Sequence, residues 1–184
     1  MYMMADDSTI GDPIAHPTGT RGRPYPPRVA RRQRLITTIH TFAYRLTGGL
    51  IGGTLRGMPM LLLTTWGRRT GKLRITPLLY LPVGSVFVLV ASNGGAVQHP
   101  TWWFNLRDRP EALVQIGPAR GRVRAVPATP AEHQQFWPLL LQVYPTYADY
   151  QALTDRAIPL LVLHPIDRNI YRFVPARYKQ VHEI

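Results

Sequence analysis

The residues best equipped for chemistry lie in three short stretches of the chain. Gly67-Arg68-Arg69-Thr70-Gly71-Lys72 joins guanidinium, hydroxyl and ammonium groups to two glycines. Such a set suits an anionic, phosphate-bearing ligand, because charged donors make the stronger hydrogen bonds to phosphate and arginine can make them two at a time. Gly67 and Gly71 are expected to take positive φ and expose backbone N–H groups. A plain charged hairpin would read the same way. Ser92-Asn93-Gly94-Gly95 supplies a hydroxyl, an amide and an unobstructed backbone, enough to hydrogen-bond the edge of a flat heteroaromatic ring. Tyr144, Tyr147 and Tyr150 recur at every third position, which on a helix confines them to an arc of about 120°. They could pack a helix onto a core, or offer flat faces and hydroxyls to a ligand.

Other chemistries are excluded or unsupported. The first stretch is not a nucleotide P-loop, since three residues separate its glycines instead of four, Leu73 stands where Ser or Thr would bind magnesium, and a strand follows. With no cysteine there is no disulfide, thiol nucleophile or thiolate metal site. His16, His40, His99, His133, His164 and His182 are scattered, with no i, i+4 pair, so no metal is expected. His99, ahead of Pro100, reads as a loop residue.

The elements that must hold these stretches are mostly strands. Met60 to Trp66, Ile75 to Pro82 and Val86 to Ala91 are apolar runs separated by the cationic stretch and by Val83-Gly84-Ser85, and read as consecutive antiparallel strands. Phosphate site and ring site would then lie on neighbouring strands. Pro100 opens a short helix with Trp102, Trp103 and Phe104, one of which, taken as Trp102, lines the ligand cleft while the others enter the core. Ala112 to Ile116 and Val123 to Pro127 are further strands around a basic tip, 117–122. Thr129, Pro130 and Glu132 form a helix start with a capping box, and that helix runs to about Val143. A second helix spans Pro145 to Leu153, and Ile158 to Leu163 is a last, continuously apolar strand.

The blocks GRRTGK, TPLLYL, VASNGG, HPTWWFNL and YPTYADYQALTDRAIPLLVL resemble, in order and spacing over roughly residues 55 to 165, the deazaflavin-dependent nitroreductase and quinone reductase family. The resemblance implies a mainly β (α+β) fold, a split β-barrel of the flavin-reductase/FMN-binding type with flanking helices. It implies coenzyme F420, which gives a hydride to a quinone or nitro-aromatic acceptor. It implies that Arg68, Arg69, Thr70 and Lys72 hold the coenzyme's phosphodiester and acidic tail. Ser92, Asn93, Gly94 and Gly95 would lie beside the ring, and Pro77, Leu78 and Leu79 would touch the ring or the core. Tyr144, Tyr147 and Tyr150 would wall the acceptor pocket, with Tyr147 or Ser92 as proton donor. The resemblance also implies that many relatives carry lysine at the position of Asn93, which here loses a positive charge.

The formal charge of +12 is concentrated: six of the 22 basic residues fall between Arg21 and Arg34, where no acidic residue occurs. Residues 1–34 are therefore expected to form a disordered basic arm. The next segment, 35–57, is an amphipathic helix too short and too interrupted by arginine to span a membrane. Arg31-Arg32 ahead of it imitates a twin-arginine export signal, but no small-residue cleavage site follows. The barrel domain occupies 58–166 and a tail 167–184. The expectation is a cytoplasmic enzyme, as monomer or homodimer, acting on a hydrophobic acceptor, with peripheral contact at an anionic membrane left open. A non-catalytic split-barrel protein for FMN, haem or a hydrophobic carrier is the rival reading, as is a basic membrane-binding module. No nucleic-acid motif is visible.

Overall fold

The computed structural model describes residues 21–22, 27–55, 57–167 and 170, apart from the side chains of 27–35. Most of the expected basic arm and of the expected tail lies outside these residues.

Eight antiparallel strands form one sheet. They are β1 (Thr54–Leu55), β2 (Met58–Trp66), β3 (Leu73–Leu79), β4 (Leu81–Val83), β5 (Val86–Val90), β6 (Glu111–Ile116), β7 (Ala119–Pro127) and β8 (Leu160–Pro165). Their order is β1-β2-β6-β7-β8-β5-β4, with β3 also paired to β2. β3 and β4 thus lie at opposite ends of the hydrogen-bonded path, yet only Tyr80 separates them in sequence. A single residue cannot bridge a flat sheet of that width, so the sheet must curl until its ends meet. Tyr80 is the corner: its N–H donates to the Pro59 carbonyl at 3.1 Å, and its buried ring stands edge-on to Phe87 at 5.4 Å. The result is the split β-barrel the family resemblance implies, with four flanking helices.

This corner corrects the expectation of one strand from Ile75 to Pro82. The run breaks at Tyr80 into β3 and β4, and β3 pairs with β2 while β4 pairs with β5. The turns expected to hold the phosphate and the ring therefore lie on strands that are not hydrogen-bonded to each other. The second basic tip is also shorter than expected, because β7 begins at Ala119. Alternation along it buries Ala119, Gly121, Val123 and Ala125 and exposes Arg120, Arg122 and Arg124. Arg122 pairs with Asp167, and Arg124 with Glu111.

Both faces of the central strands are covered, which is why β5 and β8 read as unbroken apolar runs. Phe87, Leu89, Leu161 and Leu163 face a core shared with Trp102, Trp103 and Leu106 of α2 (Thr101–Asp108). Their neighbours Val88, Val90, Leu160 and Val162 face a second core with α3 (Pro130–Val143) and α4 (Thr146–Ala152). The expected capping box opens α3: Thr129 N–H donates to Glu132 Oε2 at 2.7 Å, and Glu132 N–H returns to Thr129 Oγ1 at 3.2 Å.

Helix α1 (Pro27–Thr47) begins before Leu35, the expected start, and ends well before Leu55. Gly49 N–H bonds back to the Tyr44 carbonyl at 2.9 Å, and Thr54–Leu55 has already become a strand. Tyr44 fastens the helix to the barrel, donating to Met60 O and accepting from Gly117 N–H, each at 2.9 Å. The opposite face carries Ile36, Ile39, Phe42 and Leu46 in solvent, with Leu50 and Ile51 just beyond. Among the described residues no helix is long and apolar enough to cross a membrane.

Candidate active site

The cationic turn closes on itself. Thr70 N–H and Gly71 N–H both donate to the Gly67 carbonyl, at 3.0 and 2.7 Å, and Gly67 N–H donates to Lys72 O at 2.9 Å. Gly71 has φ +65°, as expected, but Gly67 does not take positive φ. The N–H groups of both glycines are therefore spent inside the turn, and an anion there must be held mainly by the exposed side chains of Arg68, Arg69 and Lys72. Thr70 Oγ1 accepts from Lys72 N–H at 3.4 Å, bracing the loop.

Helix α2 positions this turn through a residue that the sequence reading overlooked. Asn105 is buried; its Oδ1 accepts from Arg68 N–H at 3.1 Å, and its Nδ2 donates to Thr65 Oγ1 at 3.0 Å. Phe104, next to it, lies under the Arg68 guanidinium at 4.6 Å, within cation–π range. Trp102 and Trp103 both enter the first core, so the aromatic brought to the cationic turn is Phe104 and not Trp102.

The other end of α2 leads into the ring turn. Ser92–Gly95 is a single tight turn closed by Gly95 N–H to Ser92 O at 3.0 Å. Asn93 adopts φ +49°, a left-handed conformation that asparagine tolerates. Its amide donates to Gln98 O at 2.9 Å, so this group holds its own loop together. Gly95 has φ +75°, and a Cβ there would lie 2.8 Å from Tyr150 O and 2.9 Å from Leu153 Cβ. The ring turn therefore packs directly against the helix that carries Tyr147 and Tyr150.

A second overlooked residue lies beneath the ring turn. Arg156, in the loop after α4, is 3% exposed. It donates through Nε to Ala96 O at 2.9 Å and through Nη2 to Ser92 O at 2.6 Å. Nη1 and Nη2 each reach Ala91 O at 3.4 Å, and Nη1 meets His99 Nδ1 at 3.1 Å. Burial pushes the Arg156 pKa down. His99 is not an open loop residue: it is buried against Trp103 and Phe104, with ring centroids 5.6 and 6.0 Å away.

The tyrosines do not share one helix. Tyr144 caps the end of α3, while Tyr147 and Tyr150 belong to α4. Their rings still meet, Tyr144 and Tyr147 at 4.9 Å and Tyr147 and Tyr150 at 6.2 Å. Tyr144 and Tyr147 are buried in the second core, and Tyr150 is half-buried at its edge. Burial, with Tyr144 and Tyr150 adjacent, pushes the Tyr147 hydroxyl pKa well above its ordinary value. Pro77, Leu78 and Leu79 are half-buried on β3, where Leu78 packs on the first core and Leu79 on the second. Among the described residues no group of three His, Asp or Glu side chains could hold a metal.

Comparison with known proteins bears on this arrangement. Residues 36–165 match the family model "F420H(2)-dependent quinone reductase". An F420H(2)-dependent quinone reductase of Mycobacterium tuberculosis is 36% identical over 132 residues, 70% of this chain and 89% of that protein. The solved structure of an F420-H2 dependent reductase, FDR-A, is 36% identical with a TM-score of 0.53, covering 58% of this chain and 94% of its own. A second solved structure, described as a domain-swapped dimer, is 31% identical with a TM-score of 0.56, covering 76% of this chain and all of its own. The chain belongs to the F420H(2)-dependent quinone reductases, a family of oxidoreductases whose coenzyme is F420.

Proposed function

We propose that this chain reduces a quinone-like or nitro-aromatic acceptor with reduced F420, and that the two turns joined by α2 hold the coenzyme. The observation carrying this reading is the pairing of an exposed cationic turn with a glycine-rich turn at opposite ends of one short helix. The donors fit the group. Arg68, Arg69 and Lys72 suit a phosphodiester and carboxylate tail, with Thr70 bracing their loop, while Ser92 and the backbone through Gly95 suit a ring edge. When bound, the coenzyme supplies two electrons and a proton as hydride; the protein supplies position, electrostatics and exclusion of water. Pro77 and the half-buried Leu78 and Leu79 offer apolar contact. Tyr150, at the edge of the tyrosine cluster and against Gly95, offers an acceptor a flat face, and Tyr144 and Tyr147 stiffen that wall. Ser92 and Tyr147 are the groups proposed to supply a proton.

The test is an anaerobic titration with F420 and FMN in parallel, followed by turnover of a quinone and of a nitro-aromatic. Saturable binding of F420 alone, with acceptor reduction, is expected. Binding of FMN and not F420 would overturn the assignment.

A second reading concerns where the acceptor is met. Leu46 and Leu50 are 75% and 91% exposed on and beside α1, and the chain has no acidic residue from Pro13 to Arg107. An exposed apolar face in a purely cationic segment suits peripheral contact with an anionic membrane, where a lipid-soluble acceptor would reside. Binding to vesicles containing anionic lipid should weaken with salt and with Phe42→Ser plus Leu46→Ser, while coenzyme affinity stays unchanged. Equal vesicle binding by wild type and this variant would discard the anchor.

A further inference from the structure

Among the described residues, Arg156 is the only Arg, Lys, Asp or Glu that is buried. Its five N–H groups are all engaged, by the carbonyls of Ala91, Ser92 and Ala96 and by His99 Nδ1. None of these partners is an anion. The guanidinium is thus fully hydrogen-bonded but not neutralised, and removing such a charge from water costs several kcal/mol that neutral acceptors offset only in part. If holding the chain between β5 and α2 were the whole task, a neutral side chain would avoid that cost. The shortest contact, 2.6 Å, is to the Ser92 carbonyl, so the positive field reaches the ring turn first, through a poorly screened interior.

We infer that Arg156 is a positioning residue that holds the ring turn and sets a fixed positive charge beneath it, so that the site favours the reduced, negatively charged form of the bound ring over the oxidised form. This rests on the coenzyme reading above and deepens it. The turn itself carries no cation, and the Asn93 amide is spent on Gln98, so the positive charge nearest the turn's backbone is the one that lies beneath it. The Nη1–H donated to Nδ1 leaves the His99 ring proton on Nε2.

The test compares affinities of the two redox forms, read anaerobically from protein tryptophan emission so that it needs no turnover. Wild type should bind reduced coenzyme about tenfold more tightly than oxidised, which raises the potential of the bound two-electron couple by about 30 mV. Arg156→Met should abolish that preference. Arg156→Lys keeps the charge with fewer donors; it should retain the preference although both affinities fall, and amide exchange at residues 92–97 of the coenzyme-free protein should quicken. Equal affinity of wild type for the two forms would overturn the inference while leaving the coenzyme reading intact, as would a preference that survives in both variants. Binding of neither form would remove the coenzyme reading, and this inference with it. Should Arg156→Met fail to fold, Arg156→Gln takes its place with the same expected loss of preference, and equal affinity of wild type for the two forms still overturns the inference.

Discussion

The two turns at the ends of α2 are built on opposite principles. Gly67–Lys72 is exposed, closed by its own backbone hydrogen bonds and attached to the molecule through Asn105 and Phe104. Ser92–Gly95 is packed against α4 at a distance no side chain could share, and is tied from below by a buried arginine. The first turn offers charge and can change its side chains without disturbing the core. The second offers backbone shape, and nearly every atom that shapes it is also structural. Mutations should therefore separate binding from stability at one turn and merge them at the other.

Gly95→Val should give the largest effect. A side chain at φ +75° costs about 1–3 kcal/mol in backbone strain alone, and the Cβ overlap with Tyr150 and Leu153 adds to it. At roughly 2–4 °C per kcal/mol for a chain of this size, the melting temperature should drop by about 5–10 °C, with coenzyme binding lost in parallel. A variant that melts like wild type would show that this turn is not held against α4.

Arg68→Ala should do the reverse. Hydrogen bonds to a charged ligand are worth about 1.5–3 kcal/mol, so F420 affinity should fall by roughly one to two orders of magnitude with little change in melting temperature. Lys72→Ala should add to it. A matching loss of stability would mean that this turn, like the other, is part of the frame.

Asn105→Ala lies between these cases, since it strips a partner from Thr65 and frees Arg68. A stability loss of about 1–3 kcal/mol is expected from calorimetry, with a smaller loss of coenzyme affinity than Arg68→Ala. Loss of stability with affinity untouched would show that Arg68 does not need its anchor.

How much of this could be read in the sequence depends on the range of the interaction. Strand β2, the capping box of α3 and the cationic turn announce themselves through alternation, spacing or local composition. The corner at Tyr80 does not, because Ile75 to Pro82 is apolar but for Thr76 and nothing local records that its halves pair with different strands. Asn105 and Arg156 were missed for a related reason. Their partners are 37 to 65 residues away, and a lone Asn or Arg carries no periodic signal of burial. Charge patterning also misled at β7, where Arg120 and Arg122 read as a loop tip but alternate, with Arg124, along a strand whose other face is core.

The smallest effect should be Tyr147→Phe. The hydroxyl pKa is raised on folding, so its contribution is fully present below the unfolded value of about 10 and is lost as pH rises toward the folded value. Below pH 9 the variant should be nearly as stable as wild type, and in alkali it should lose less. Acceptor turnover should fall more than coenzyme affinity, and Tyr147→Ala should be worse in both. Equal losses of stability and activity in the two variants would assign these tyrosines to packing alone.

The claim on which the rest depends is that the exposed cationic turn and the buried ring turn hold two parts of one coenzyme. Its most direct test is a titration of wild-type protein with full-length F420 and with a tail-less deazaflavin. The account predicts that the full-length coenzyme binds about 10- to 100-fold more tightly, and that Arg68→Ala removes most of this difference while leaving the tail-less affinity unchanged. Equal binding of the two molecules by the wild-type protein would contradict it.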